Sequence, residues 1–208
     1  MSIVITGNPG VGKHTIAKEI ERTWKISELI DINKTAIDAG LVEQNQDVIE
    51  VDVNKLKKHL KPIVSDIPRL HWGGRTGLIV GHLAPYVIDV KHAHPCIVLR
   101  KNPYKLLDIY KKRGYTEKKM KDNLGSEILG IITNDAIKNF GQEKTFQVDT
   151  TDHTPKELAV RIHDIYYGED NGDNIDWLQL IQEKNDLKKF FPDKFNIDQF
   201  ENVIECLR

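Results

Sequence analysis

Cysteine is scarce: Cys96 and Cys206 are the only two in 208 residues. Standing far apart, they form neither a disulfide framework nor a zinc cluster. An excess of one charge is also missing. Lys plus Arg number 30 and Asp plus Glu 31, a formal net charge of −1. That excludes a global electrostatic grip on nucleic acid or anionic membrane and leaves only local patches. The longest uncharged apolar stretch, 77–88, is too short for a spanning helix, so no membrane partner is expected. No basic region or small-residue cleavage site precedes Ile3-Val4-Ile5, so no secretory signal is expected. Together these absences point to a reduced, metal-poor, cytoplasmic protein. What is present fits a folded chain, with 39% hydrophobic and 29% charged residues, and the length suits one domain with an extension or one domain with an inserted lid.

Short apolar runs alternate with helical patterns. Strands are predicted at 3–5, 48–53, 78–80, 97–99 and 145–148. Helices are predicted at 14–24, at 55–60 until Pro62 stops it, at 104–112, and at 155–167. Residues 116–140 read as one long, Lys-rich helical pattern broken near Gly125 or Gly130. Glycines precede the strand at 78–80, among them Gly73-Gly74. Continuous apolar strands separated by helices predict an α/β fold, a parallel sheet with helices on both faces. Residues 168–173 read as a linker, and 176–208 as two or three short amphipathic helices interrupted at Pro192. The expected division is a nucleotide-binding domain over 1–167 and a helical extension over 168–208.

The sharpest signal is Gly7-Asn8-Pro9-Gly10-Val11-Gly12-Lys13-His14-Thr15, which follows an apolar strand and opens an amphipathic helix. That is the context a phosphate-binding loop requires. Gly10 and Gly12 let backbone N–H groups converge on phosphate oxygens, and the helix start adds partial positive charge. Lys13 supplies a mobile cation for β- and γ-phosphates. His14 stands where Ser or Thr usually meets magnesium, so its expected contribution is its backbone N–H. Thr15 follows as the hydroxyl near the metal, which would be held largely through water.

Further candidates lie at strand ends, which face the ligand crevice in open α/β sheets. Arg100 follows the strand 97–99 and is expected to meet a phosphate. His82 follows 78–80 and is expected near the loop. Asp52 ends the strand 48–53, where a carboxylate could orient a magnesium-bound water or a ribose; the competing role is a helix N-cap. Lys111, Lys112, Arg113, Lys118, Lys119 and Lys121 surround Gly114-Tyr115. They read as a mobile basic lid in which Arg113 supplies transition-state charge, or as a solvated helix face, or as an RNA contact.

The loop Gly7 to Thr15, Leu99-Arg100, and Arg113-Gly114-Tyr115-Thr116-Glu117-Lys118-Lys119 with Asp122-Asn123 together resemble the adenylate kinase isoenzyme 6 family, archaeal and nuclear-type adenylate kinases and ribosome-assembly ATPases. The resemblance covers roughly residues 3–165. It implies a P-loop kinase fold with a short lid (112–122) and a small monophosphate-binding segment (33–56). It implies reversible phosphoryl transfer from ATP to AMP with magnesium, a side ATPase activity, and a part in late small-subunit maturation through a ribosomal protein. By position, Gly10, Gly12, Lys13, His14 and Thr15 would hold ATP phosphates, Arg113 would be the lid arginine, and His82 would match the family's motif histidine. The chain departs from that family at Val80, where an acid is usual, and at Ile37, where an arginine is usual. Two other readings stay open: a nucleotide-gated assembly factor acting as a monomer on pre-ribosomes, and a P-loop kinase for another small acceptor.

Overall fold

The computed structural model describes residues 2–24, 26–45, 48–67 and 76–191. Its elements in chain order are β1 (Ser2–Gly7), α1 (Lys13–Thr23), β2 (Ile26–Asp31), α2 (Ile32–Asp38), β3 (Val42–Asn45), β4 (Val48–Val51), α3 (Val53–Asp66), β5 (Thr76–Val80), α4 (Ala84–Val87), β6 (Ala93–Arg100), α5 (Pro103–Lys112), α6 (Glu117–Ile128), α7 (Ile131–Phe140), β7 (Thr145–Asp149), α8 (Pro155–Tyr167), α9 (Trp177–Glu183) and α10 (Leu187–Phe190). Five strands form one parallel sheet in the order β2-β5-β1-β6-β7.

Alternation along each inner strand decides how the sheet is covered. Ile3 and Ile5, Leu78 and Val80, and Ile97 and Leu99 enter one hydrophobic cluster. Val4, Ile79, Cys96 and Val98 enter the other. Successive side chains of a strand point to opposite faces, so a continuous apolar run feeds two cores at once. Helices α1, α5 and α8 line the first core; α3, α4 and α7 line the second. Each wholly buried Ile or Leu contributes roughly 1.5–3 kcal/mol. The expected parallel α/β architecture is what the structure shows.

Two local expectations are corrected and a third holds. The strand at 48–53 is not in the main sheet: β4 pairs antiparallel with β3 in a separate hairpin. The place expected for it is filled by β2, whose residues are mostly half-buried and polar-interspersed because it is an edge strand. The helix expected to stop at Pro62 runs on to Asp66, with Pro62 on its exposed side. The backbone group that proline leaves unpaired therefore meets water. The long pattern at 116–140 does break, at Gly130, into α6 and α7.

Among the described residues, the C-terminal segment packs back on the sheet domain. Gly168 ends α8 in a left-handed conformation. Arg161 then holds Asp170 and Asp173 at 3.0 and 2.9 Å, and Asp173 N–H donates to the Gln147 carbonyl. The expected linker is thus tied to β7. Ile181, Phe190 and Phe191 join the same core as β1. Gly73-Gly74, Pro192, Cys206 and the helices expected beyond 191 lie outside the described residues. Among the described residues no helix is long and apolar enough to cross a membrane.

Candidate functional site: a phosphate loop and basic side chains in one cleft

β1 is the central strand, so the turn after it sits at the middle of the sheet's C-terminal edge. Gly10 and Gly12 have φ of +89° and +103°, values an L side chain rarely adopts. Gly12 forms the N-cap of α1 with no side-chain hydrogen bond, and the helix has no acid in its first turn. The amides at that end and the helix dipole are available to an anion. The Tyr110 hydroxyl donates to the Pro9 carbonyl at 2.6 Å, and the Thr150 hydroxyl donates to the Val11 carbonyl at 2.9 Å. The loop is therefore held by α5 and by the segment after β7. Lys13 is only 6% exposed. Its ammonium donates to the carbonyls of Gly7 and Asn8, both at 2.8 Å. Burial, only partly offset by Glu127, lowers its pKa to about 8.

The loop opens on a cleft of about 910 Å³. Gly10, Gly12, Lys13, His14 and Thr15 line it together with Arg113, Lys118 and Lys119. Arg113 caps the C-terminus of α5, just before Gly114 (φ +67°) turns the chain toward α6. Its charge is felt at Lys13, whose ammonium it disfavours. Tyr115 stacks on Tyr110 with centroids 5.2 Å apart, and the Lys119 ammonium lies 4.6 Å from the Tyr115 ring centre. Tyr115, just before α6, thus packs on the residue that fixes Pro9. Asn33, His82, Leu83, Tyr86, Ile131 and Ile132 complete the cleft. Burial and then the Lys13 charge lower the His82 pKa to about 4, so at neutral pH this ring is an uncharged hydrogen-bonding group.

The structure brings Gly10, Gly12, Lys13, His14, Thr15, His82 and Arg113 together in one cleft. Two expected site residues lie elsewhere. Arg100 is 3% exposed and does not line the cleft. Its Nε meets Glu127 Oε1 at 2.8 Å, its other nitrogens reach the Glu127 carbonyl and Thr133, and it also donates to Gln147. A guanidinium spent on buried protein acceptors is not presented to a phosphate. Asp52, on the hairpin side of the molecule, takes the competing role: it caps α3 by accepting from Lys55 N–H and pairs with the Lys55 ammonium at 3.3 Å.

The acid that does end a main-sheet strand beside the loop is Asp31, which the sequence reading passed over. Its Oδ1 caps α2 by accepting from Asn33 and Lys34 N–H, and its Oδ2 lies 2.9 Å from His14 Nε2. The Thr15 hydroxyl and this carboxylate are hard oxygen donors of the kind magnesium takes, and few in number, as suits an ion that keeps water and substrate phosphates. Glu127 and Tyr110 were also missed. Glu127 stands among lysines in a polar helix and reads as a solvent-facing acid; only its spacing from Leu124 and Ile128 on the buried side marks it.

Comparison with known proteins agrees with this geometry. A family model described as an AAA domain matches residues 3–130. A protein named "Putative adenylate kinase" from Saccharolobus islandicus (strain L.S.2.15) is 31% identical over 171 residues, covering 78% of this chain and 81% of its own. One of the same name from Thermococcus onnurineus is 30% identical over 162 residues, covering 78% and 82%. The crystal structure of shikimate kinase from Bacteroides thetaiotaomicron superposes with a TM-score of 0.50 at 14% identity, covering 81% of this chain and 98% of that one, a likeness of fold alone. The chain belongs to a family of adenylate kinase-like P-loop proteins whose domain is described as an AAA domain.

Proposed function

We propose that the protein transfers a phosphoryl group reversibly between ATP and AMP. The observation that supports this is the convergence of two cationic sets on one cleft: Lys13 with the bare start of α1, and Arg113 with Lys118 and Lys119. A monophosphate acceptor is already an anionic nucleophile, so such a site needs alignment and charge neutralisation rather than a strong base. Gly10, Gly12 and the amides of His14 and Thr15 would cradle the β- and γ-phosphates. Lys13 would swing from its two carbonyls to a phosphate oxygen. Arg113 would close on the transferring group and exclude water, which otherwise competes as acceptor. Magnesium would be held by Thr15, with Asp31 acting through water, and would supply charge neutralisation on the polyphosphate. Asn33, His82 and Tyr86 would line the acceptor side.

A coupled assay of ADP formation, with and without AMP, tests this reading. Strict dependence on AMP supports it; a rate unchanged by AMP overturns it. The acceptor side favours a second reading, hydrolysis of ATP: Asn33, Leu83, Tyr86, Ile131 and Ile132 carry no formal positive charge and His82 is neutral. Such an ATPase could drive a nucleotide-gated docking on pre-ribosomes. This rests on the family resemblance, and nucleotide-dependent pull-down of a small-subunit ribosomal protein would support it.

A further inference from the structure

Glu127 is a wholly buried carboxylate at the end of the lid helix α6, 0% exposed. Four donors converge on it among the described residues. Oε2 accepts from the Asn8 side-chain amide at 2.8 Å. Oε1 accepts from Arg100 Nε at 2.8 Å, Lys101 N–H at 3.0 Å and Trp177 Nε1 at 3.1 Å. Those donors belong to three places: the phosphate loop, the end of β6, and the C-terminal segment at the first residue of α9. A buried carboxylate needs such a cage, because leaving it unpaired is costly. The cage also joins parts that the sequence keeps apart. Asn8 is itself 4% exposed, and its carbonyl accepts from Lys13.

On the basis of the nucleotide reading above, we infer that Glu127 is a positioning residue that fixes the phosphate loop to the root of the lid, and that Trp177 completes its cage. The C-terminal segment is therefore a working part of the nucleotide site. Asn8 and Trp177 bond different oxygens of one carboxylate, so loss of either lets Glu127 tilt about its bonds to Arg100 and Lys101 and loosens the phosphate loop at Asn8. Misplacement of aligning groups lowers the rate of transfer more than it weakens ground-state binding.

The experiment uses the full chain and the variants Trp177→Phe, Asn8→Ala and the two combined, with Tyr104→Phe as control. Tyr104 donates to Asp186 at 2.6 Å, so its loss loosens the same C-terminal segment without touching Glu127. Trp177→Phe keeps an aromatic ring and removes the N–H. Calorimetric titration with ATP and magnesium is read beside kcat and KM. The expected result is a kcat about tenfold lower for Trp177→Phe, KM within about twofold, and kcat within about twofold for Tyr104→Phe. The combined variant should lose less than the product of the single losses, because both act through one carboxylate. Equal behaviour of Trp177→Phe and Tyr104→Phe, or strictly multiplicative losses, overturns the inference. Failure of the unaltered protein to take up ATP overturns the nucleotide reading and the inference with it.

Discussion

The Lys13 ammonium donates to the Gly7 carbonyl at 2.8 Å, closing the loop on itself. Asn8 shares the same ammonium at the same distance. The lysine is thus poised over the anion cradle, bonded to acceptors that a phosphate oxygen can replace. Burial has already removed it from water, so exchanging a carbonyl for a charged oxygen strengthens its hydrogen bonds.

Replacing Lys13 by Met should abolish turnover while the fold survives. Among the described residues its hydrogen bonds go to its own loop, whereas in the proposed transfer the transition-state charge depends on it. A loss of kcat of about a thousandfold or more is expected, with melting temperature little changed, by steady-state kinetics beside thermal unfolding.

Arg113 offers a contrast, because it is exposed and caps α5 only through its backbone. Arg113→Ala should lower kcat by about a thousandfold, as removal of a cis arginine does, and leave stability within experimental error. Single-turnover measurement with saturating ATP separates this from weaker binding. A KM change alone would assign Arg113 to ground-state binding.

His82 gives a pH dependence whose sign is fixed. The unfolded chain takes up a proton at its ordinary pKa of 6.5, while the folded ring resists until about 4. Between those values the unfolded state binds more protons, so stability is intact above 6.5 and is lost as pH falls toward 4. This one group should remove roughly 2 kcal/mol between pH 7 and pH 4.5. Urea unfolding at both values, compared with His82→Gln, measures it; the variant should lose that part of the slope.

Arg100 and Asp52 should both act structurally and not at the reaction. Arg100→Met breaks a buried ion pair and leaves Glu127 uncompensated, so a stability loss of roughly 3–5 kcal/mol is expected. Asp52→Ala removes an exposed cap remote from the cleft and should leave kcat and KM unchanged. Denaturant unfolding and steady-state kinetics on the two variants check both.

The parallel sheet and the loop were legible because each is written locally. Apolar runs mark the inner strands, and glycine spacing before Lys13 marks the cradle. What was not legible depends on partners distant in the chain. β2 hides because an edge strand such as Ile26 to Asp31 keeps polar residues, while the hairpin at Val48–Val51 shows the cleaner alternation. The rule that an acid ends a strand beside the loop held, but it belonged to Asp31 and not Asp52. Arg100 looked available because nothing near it in sequence shows that Glu127 comes to meet it. Where the C-terminal extension packs was not legible, because Phe190 and Phe191 reveal their place only once the core of β1 is assembled.

Binding of ATP to the phosphate loop is most directly measured by calorimetric titration of the folded protein in the presence of magnesium, repeated on Lys13→Met. Uptake of one ATP per chain, sharply weakened in the variant at unchanged fold, is the expected result. Absence of uptake by well-folded protein, or equal uptake by both, would contradict the assignment.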